Sequence, residues 1–211
     1  MIDQPDPVTR RGRPPLDPGA RRQRILDAAA KIFQERGFED TTVDMVSRSA
    51  RVTKRTIYEL IGDKEALFRA VCNESSSSSG HLRFPQVEPD MSPHDVFTEL
   101  ARALLEHALS PARVAVSRMI MIESMRFPDL ARNVLGRGKS IIDAGIISVF
   151  EQLESHGITV VPDHARAAEI FYDVLIGNLG FRVTLGFEGQ AMTDDELNQR
   201  LDVFIRGYLR N

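Results

Sequence analysis

Four polar side chains lie close together on one short segment that can contact nucleic acid. Lys54 and Arg55 supply positive charge, and Thr56 and Tyr58 supply hydroxyl groups within the next three residues. Lysine and arginine donate hydrogen bonds to base edges and to phosphate oxygens, and hydroxyl groups bind phosphate. This combination predicts a DNA-contacting surface on which Lys54 and Arg55 read bases while the hydroxyl groups hold the phosphate backbone.

Two short helices joined by a tight turn would position these side chains. Thr41 and Asp44 have the spacing of an N-terminal capping box for the first helix. Thr53 can cap the second helix, whose Ile57 then faces inward and leaves the polar side chains outside. A helix pair with a basic second member is typical of a helix-turn-helix, although ordinary amphipathic helix pairs share the pattern.

A proline-rich basic arm, predicted over residues 1–20 and expected to be flexible, precedes this unit. Arg11 and Arg13 flank Gly12, and the run 10–15 resembles the R-G-R-P core of AT-hook arms. Such arginines can enter a narrow A·T minor groove. A basic tail that only adds nonspecific affinity is an equally good interpretation.

The segment 41–68, T-T-V-x-x-V-x-x-x-A-x-V-T-x-x-T-I-Y-x-x-I-x-D-K-E-A-L-F, closely resembles the DNA-binding domain of the TetR family of regulators. The preceding run from Ile25 to Phe38 is similar to that family's first helix. One departure is Arg51, which stands where the family usually has glycine. The turn must therefore tolerate a side chain.

The resemblance implies an all-α protein with two domains: a three-helix helix-turn-helix domain over 21–71 and a helical regulatory domain over 72–211. It also implies a homodimer on a near-palindromic operator and a pocket for a small-molecule effector. The candidate DNA-contacting residues are Arg11, Arg13, Thr42, Thr53, Lys54, Arg55, Thr56, Tyr58 and Lys64.

Charge and composition are consistent with a regulator that binds DNA through one end. Residues 1–73 carry 14 Lys and Arg against 11 Asp and Glu, whereas the whole chain of 211 residues has a net charge of −3. A polar N-terminal stretch, the single Cys72 and the absence of a run of about 20 apolar residues predict a cytoplasmic protein outside the membrane. We expect neither a cofactor nor a metal site.

The rest of the chain is predicted to consist of a serine-rich connector at 75–90 followed by helices. Helical spacing predicts a helix from Pro93 to about 109 and a buried helix after Ser110. It also predicts a long helix over 128–155, one helix over 165–185, and a last helix capped by Thr193 and Glu196.

Two further residue sets follow from this layout. The candidate pocket residues, each of which could instead be ordinary core, are Phe97, Leu104, Met119, Ile122, Phe150 and Phe171, with Glu123, Arg126 and Asn178 as polar contacts. Their chemistry favours an apolar or aromatic effector. The candidate dimer contacts in the last two helices are Leu175, Gly177, Gly180, Leu197, Leu201, Phe204, Ile205 and Tyr208.

The alternative function is an architectural, A·T-seeking DNA-binding protein that depends on the arginine arm. A large acidic helical body argues against it, because such proteins need no second domain. Enzymatic activity is the weaker alternative, since no phosphate-binding loop, H-E-x-x-H or G-x-S-x-G motif occurs.

Overall fold

The computed structural model describes residues 17–77, 82–187 and 192–209. Within these ranges it contains ten helices: α1 Pro18–Arg36, α2 Val43–Ala50, α3 Lys54–Leu60, α4 Lys64–Ser77, α5 Pro93–Ala108, α6 Pro111–Glu123, α7 Pro128–Ser155, α8 His164–Leu175, α9 Gly177–Thr184 and α10 Asp194–Tyr208. The all-α prediction is confirmed. None of the helices in the described part is long and apolar enough to cross a bilayer.

Helix α1 begins three residues earlier than predicted. The carboxylate of Asp17 accepts hydrogen bonds from the backbone N–H groups of Gly19 and Ala20 at 3.0 and 3.4 Å, and Pro18 occupies the first helical position. Residues 18–20, which were assigned to the arm, therefore belong to the helix. Arg11 and Arg13 lie outside the described residues.

Helix α2 is capped by Thr42, so the prediction of Thr41 as the cap was wrong. The Thr42 hydroxyl accepts a hydrogen bond from the backbone N–H of Met45 at 3.3 Å. Thr41 is instead buried and donates its hydroxyl to the carbonyl of Gly37 at 2.7 Å. Because Thr41 fastens the preceding turn, its neighbour is left to cap the helix.

Arg51 adopts a left-handed conformation, with φ 51° and ψ 48°, at the end of α2. A side chain makes this conformation costly, by roughly 1–2 kcal/mol, whereas glycine adopts it freely. Arg51→Gly is therefore expected to stabilise the protein by about 0.5–1 kcal/mol, measured by urea unfolding.

Asp163 supplies the matched control for this substitution, because its φ is also positive, at 50°. Its carboxylate accepts from the N–H of Arg166 at 3.1 Å and caps α8. Asp163→Gly relieves the same backbone strain but loses the helix cap. It should therefore raise the free energy of unfolding by less than Arg51→Gly does. An equal or larger gain at Asp163 would contradict this account of Arg51.

The first four helices pack around one aromatic core. Phe33, Phe38 and Phe68 are each at most 5% exposed, and their ring centroids lie 5.1–6.0 Å apart. Helix α4 contributes Phe68 and continues to Ser77, so it crosses the predicted domain boundary at 71/72 and extends into the serine run. We call α1–α4 the head and α5–α10 the body.

The body surrounds a second core whose centre is also aromatic. Phe97, Phe150, Phe171 and Phe204 come from four different helices and are at most 1% exposed. The predicted bounds of α7 are confirmed. The helix predicted over 165–185 is instead two helices, α8 and α9, which are interrupted at Ile176, directly before Gly177.

Candidate nucleic-acid interface and ligand cavity

Helix α3 presents its polar residues on the side opposite the head core. The Thr53 hydroxyl caps the helix by accepting from the N–H of Thr56 at 3.1 Å. Ile57 is fully buried, whereas Lys54, Arg55 and Tyr58 are exposed, as predicted. The first turn of α3 is thereby free to approach a DNA groove.

Both cations of α3 have carboxylate partners in the free protein. Lys54 Nζ lies 2.7 Å from Asp44 of α2, and Arg55 Nε donates to Glu59 at 2.7 Å. Exposed pairs of this kind contribute only about 0–1 kcal/mol, so DNA can displace the carboxylates at little cost. The Glu59 contact also uses Nε of Arg55 and leaves its terminal nitrogens for bases.

Lys64 is held against the turn between α1 and α2. Its ammonium donates to the carbonyl of Glu39 at 2.9 Å and lies 4.5 Å from the centroid of the Phe38 ring. An ammonium carries three donors, so this contact leaves others for phosphate. Its role as a phosphate contact stays a prediction.

The turn between α6 and α7 fastens the body to the head. Phe127 is 5% exposed, and its ring centroid lies 5.1 Å from that of Phe38. Arg126 pairs with Glu39, and Arg69 of α4 donates to Asp129 at 2.6 Å. The head therefore contacts the body through this turn as well as through α4.

A cavity of about 320 Å³ lies between α6, α7 and α8. Its apolar wall includes Val116, Ile120, Val134 and Ile142. Such a volume and lining are typical of sites that bind small organic molecules.

Charged and hydroxyl groups line the rest of this cavity. Burial lowers the pKa of the Arg113 guanidinium and raises the pKa of the Tyr172 hydroxyl. Lys139 donates to Asp143 at 2.5 Å, and this hydrogen bond raises the pKa of the lysine. The cavity thus offers both donors and acceptors beside an apolar wall.

Two family models match the chain, one for each unit. The model of "bacterial regulatory proteins, tetR family" matches residues 25–71, and that of "AefR-like transcriptional repressor, C-terminal domain" matches residues 95–211. The chain belongs to the TetR family. It is a DNA-binding transcriptional regulator with a helix-turn-helix head, and this family is not one of enzymes.

Individual TetR-family proteins are similar over most of their length. The uncharacterized HTH-type transcriptional regulator YvkB of Bacillus subtilis is 23% identical, over 88% of this chain and 95% of its own. The structure of the flavonoid-responsive regulator FrrA is 26% identical, with a TM-score of 0.71 over 90% of this chain and 97% of FrrA. The structure of a TetR regulator from Agrobacterium tumefaciens, which is 23% identical, has the same fold. Its TM-score is 0.71, and the match covers 91% of this chain and 96% of that protein.

The residues predicted for the TetR-type pocket lie elsewhere. Phe97, Leu104, Phe150 and Phe171 are fully buried in the body core and do not line the 320 Å³ cavity, so a pocket role for them stays a prediction. Arg126 is engaged with Glu39. The sequence missed the lining of the 320 Å³ cavity, which includes Arg113 of α6 and Tyr172 of α8.

Three other pocket candidates, Met119, Ile122 and Glu123, line a different cavity between α1, α4 and α6. Asn178 is exposed and lies beside a shallow depression between α9 and α10. This cavity lies at the junction of head and body, and a role for these three residues in effector binding stays a prediction.

Four predicted dimer contacts are buried within the chain itself. Leu175, Leu197, Leu201 and Phe204 are at most 4% exposed and belong to the body core, so the subunit presents almost none of their surface to a partner chain. Ile205 and Tyr208 are half-buried against this core, and Gly180 is half-buried. Gly177 is exposed, and a Cβ added to it would meet no atom within 4 Å.

The apolar residues that α9 and α10 leave open to another chain are different ones. Phe181 and Leu185 are 55% and 51% exposed, and Val203 is 68% exposed. Val203 projects away from the buried stripe of α10.

Proposed function

We propose that the protein is a cytoplasmic homodimeric repressor that binds a near-palindromic operator and leaves it when a small aromatic effector binds the body. The observation that carries this proposal is the 320 Å³ cavity between α6, α7 and α8, in a body connected to a head with an exposed α3. The match to the C-terminal domain of a transcriptional repressor supports repression over activation.

The lining of the cavity supports an aromatic effector that carries hydroxyl groups. Val116, Ile120 and Val134 can contact a flat apolar face. Arg113 and Tyr172 can hydrogen-bond to phenolic oxygens at the edge of the molecule. FrrA, which by its name responds to flavonoids, supports the same chemical class, since flavonoids are aromatic and hydroxylated.

On DNA, two heads related by a two-fold axis would enter major grooves one helical turn apart, about 34–36 Å. Arg55→Ala is expected to cost about 1–3 kcal/mol of operator binding and to relax the preference at one base position. Selection of binding sites from random DNA, followed by affinity measurements, tests this.

Lys64→Ala is the comparison variant for the operator experiment. Loss of one phosphate contact should weaken binding to all DNA sequences equally. It should also make the slope of log affinity against log salt concentration shallower by about one. If Lys64→Ala altered base preference while Arg55→Ala did not, the two roles would be reversed. Selected sites without two-fold symmetry would contradict the homodimer.

Effector action is tested by titrating flavonoids with and without operator DNA. Because coupling is reciprocal, operator DNA must weaken flavonoid binding by the factor by which the flavonoid weakens DNA binding, about 5- to 150-fold. Val134→Phe, which fills the cavity, should abolish the response and leave operator affinity unchanged. Equal flavonoid affinities in the two titrations would identify the compound as a bystander.

A further inference from the structure

A second cavity lies where the head meets the body and is separate from the proposed effector site. Its volume is about 290 Å³, and its lining comes from both units. The rings of Phe33, Phe38 and Phe68 belong to the head, while Met119 and Ile122 belong to α6 of the body. Ile122 leaves 69% of its surface exposed, although it is a large apolar residue.

One carboxylate in this lining has no partner among the residues that the structure describes. In the described part of the chain, the side chain of Glu123 makes no hydrogen bond and no ion pair, although the residue is half-buried. Arg118, the cation of the same lining, donates its Nε to the carbonyl of Thr184 at 2.9 Å, and a terminal nitrogen lies near Gly186. Its charge is therefore directed toward the end of α9, and the negative charge of Glu123 is not neutralised by it.

We propose that this cavity binds an aromatic ammonium ion of about two fused rings. At about 30 Å³ of liquid volume per water molecule, 290 Å³ holds roughly ten non-hydrogen atoms, the size of a naphthalene ring system. Phenylalanine and methionine side chains pack well against aromatic rings. An ammonium group is attracted by the carboxylate of Glu123 and by the rings of Phe33 and Phe68, whereas Lys64 and Arg126 already lie over the Phe38 ring.

An occupant of this cavity would act on the head directly, because it would contact α1 and α4 on one side and α6 on the other. A ligand shifts a conformational equilibrium only through its different affinity for the two states. Here the bound state is the present packing of head on body. Amide hydrogen exchange around residues 33–38 and 115–123 should therefore slow when the ligand binds.

Fluorescence with 1-naphthylmethylamine on the 211-residue chain tests the proposal. The chain contains no tryptophan, so the naphthyl emission is measured without interference. We expect saturable binding, at least about 10-fold tighter than that of 1-naphthaleneacetate, which has the same rings and the opposite charge. Glu123→Gln should weaken the amine by about 10-fold or more and leave the acetate unaffected or tighter.

Two cavity-filling variants locate the bound probe. Ala115→Phe fills the junction cavity and should abolish binding, whereas Val134→Phe fills the cavity between α6, α7 and α8 and should preserve it. Thermal unfolding establishes that each variant is folded, and Glu123→Gln tests the proposal without changing side-chain volume. No saturable binding, equal amine affinity in Glu123→Gln, or loss of binding only in Val134→Phe would overturn the proposal.

Discussion

Replacement of Phe204 by alanine is expected to destabilise the fold by about 3–5 kcal/mol, the range for truncating a buried phenylalanine. Phe204 is 1% exposed, and its ring centroid lies 4.9 Å from that of Phe171 and 5.5 Å from that of Phe97. Alanine would leave a cavity at the point where α5, α7, α8 and α10 meet. Urea unfolding measured by circular dichroism gives the free energy directly.

Val203→Ala is the control for this experiment, since Val203 is the neighbouring residue on α10 and is 68% exposed. It should change the free energy of unfolding by less than about 0.5 kcal/mol in the isolated subunit. Both variants are compared at protein concentrations below the dissociation constant of the proposed dimer. Similar losses in the free energy of unfolding would contradict the assignment of Phe204 to the core.

The position of Phe204 also changes how the dimer must be tested. Phe204→Glu would place a carboxylate inside the body core, where an unpaired charge is strongly unfavourable. Its expected product is an unfolded chain, in place of the folded monomers that an interface position would give. A test of assembly therefore needs an apolar residue that is exposed in the subunit.

Phe181→Glu is expected to convert the proposed dimer into folded monomers and to lower operator affinity by about 10²- to 10⁴-fold, the usual gain from linking two binding modules. Phe181 is 55% exposed on α9, close to the exposed Gly177. A carboxylate there is hydrated in the monomer but would be buried against the partner. Analytical ultracentrifugation and operator titration measure the two effects.

Val160→Glu provides the comparison for the dimer experiment. Val160 is 55% exposed, like Phe181, but lies between α7 and α8 and outside the proposed interface. This variant should remain dimeric and should bind the operator normally. If Phe181→Glu stayed dimeric with an unchanged melting temperature, the interface would have to be moved away from α9.

The helix-turn-helix head and most helix bounds could be predicted from the sequence, because those features depend on local interactions. Thr53 caps α3 through a hydrogen bond to a residue three positions later, and Thr193 with Glu196 forms the capping box of α10. Prolines mark the starts of α5, α6 and α7 in the same local way. The cap of α2 was misplaced by one residue because Thr41 and Thr42 have the same side chain. Only the fold shows that the Thr41 hydroxyl is engaged with the carbonyl of Gly37, which leaves Thr42 as the cap.

The packing of the helices against one another, which the sequence did not reveal, determines which apolar residues form the core and which line a cavity. Helical spacing shows that Phe150 and Val134 each face away from water, but both lie on α7 and only Val134 lines a cavity. Likewise, Phe204 and Val203 are adjacent on α10, yet one is buried in the subunit and the other is exposed. Burial depends on which distant helix packs over each side chain, and the periodicity of a single helix carries no information about its neighbours.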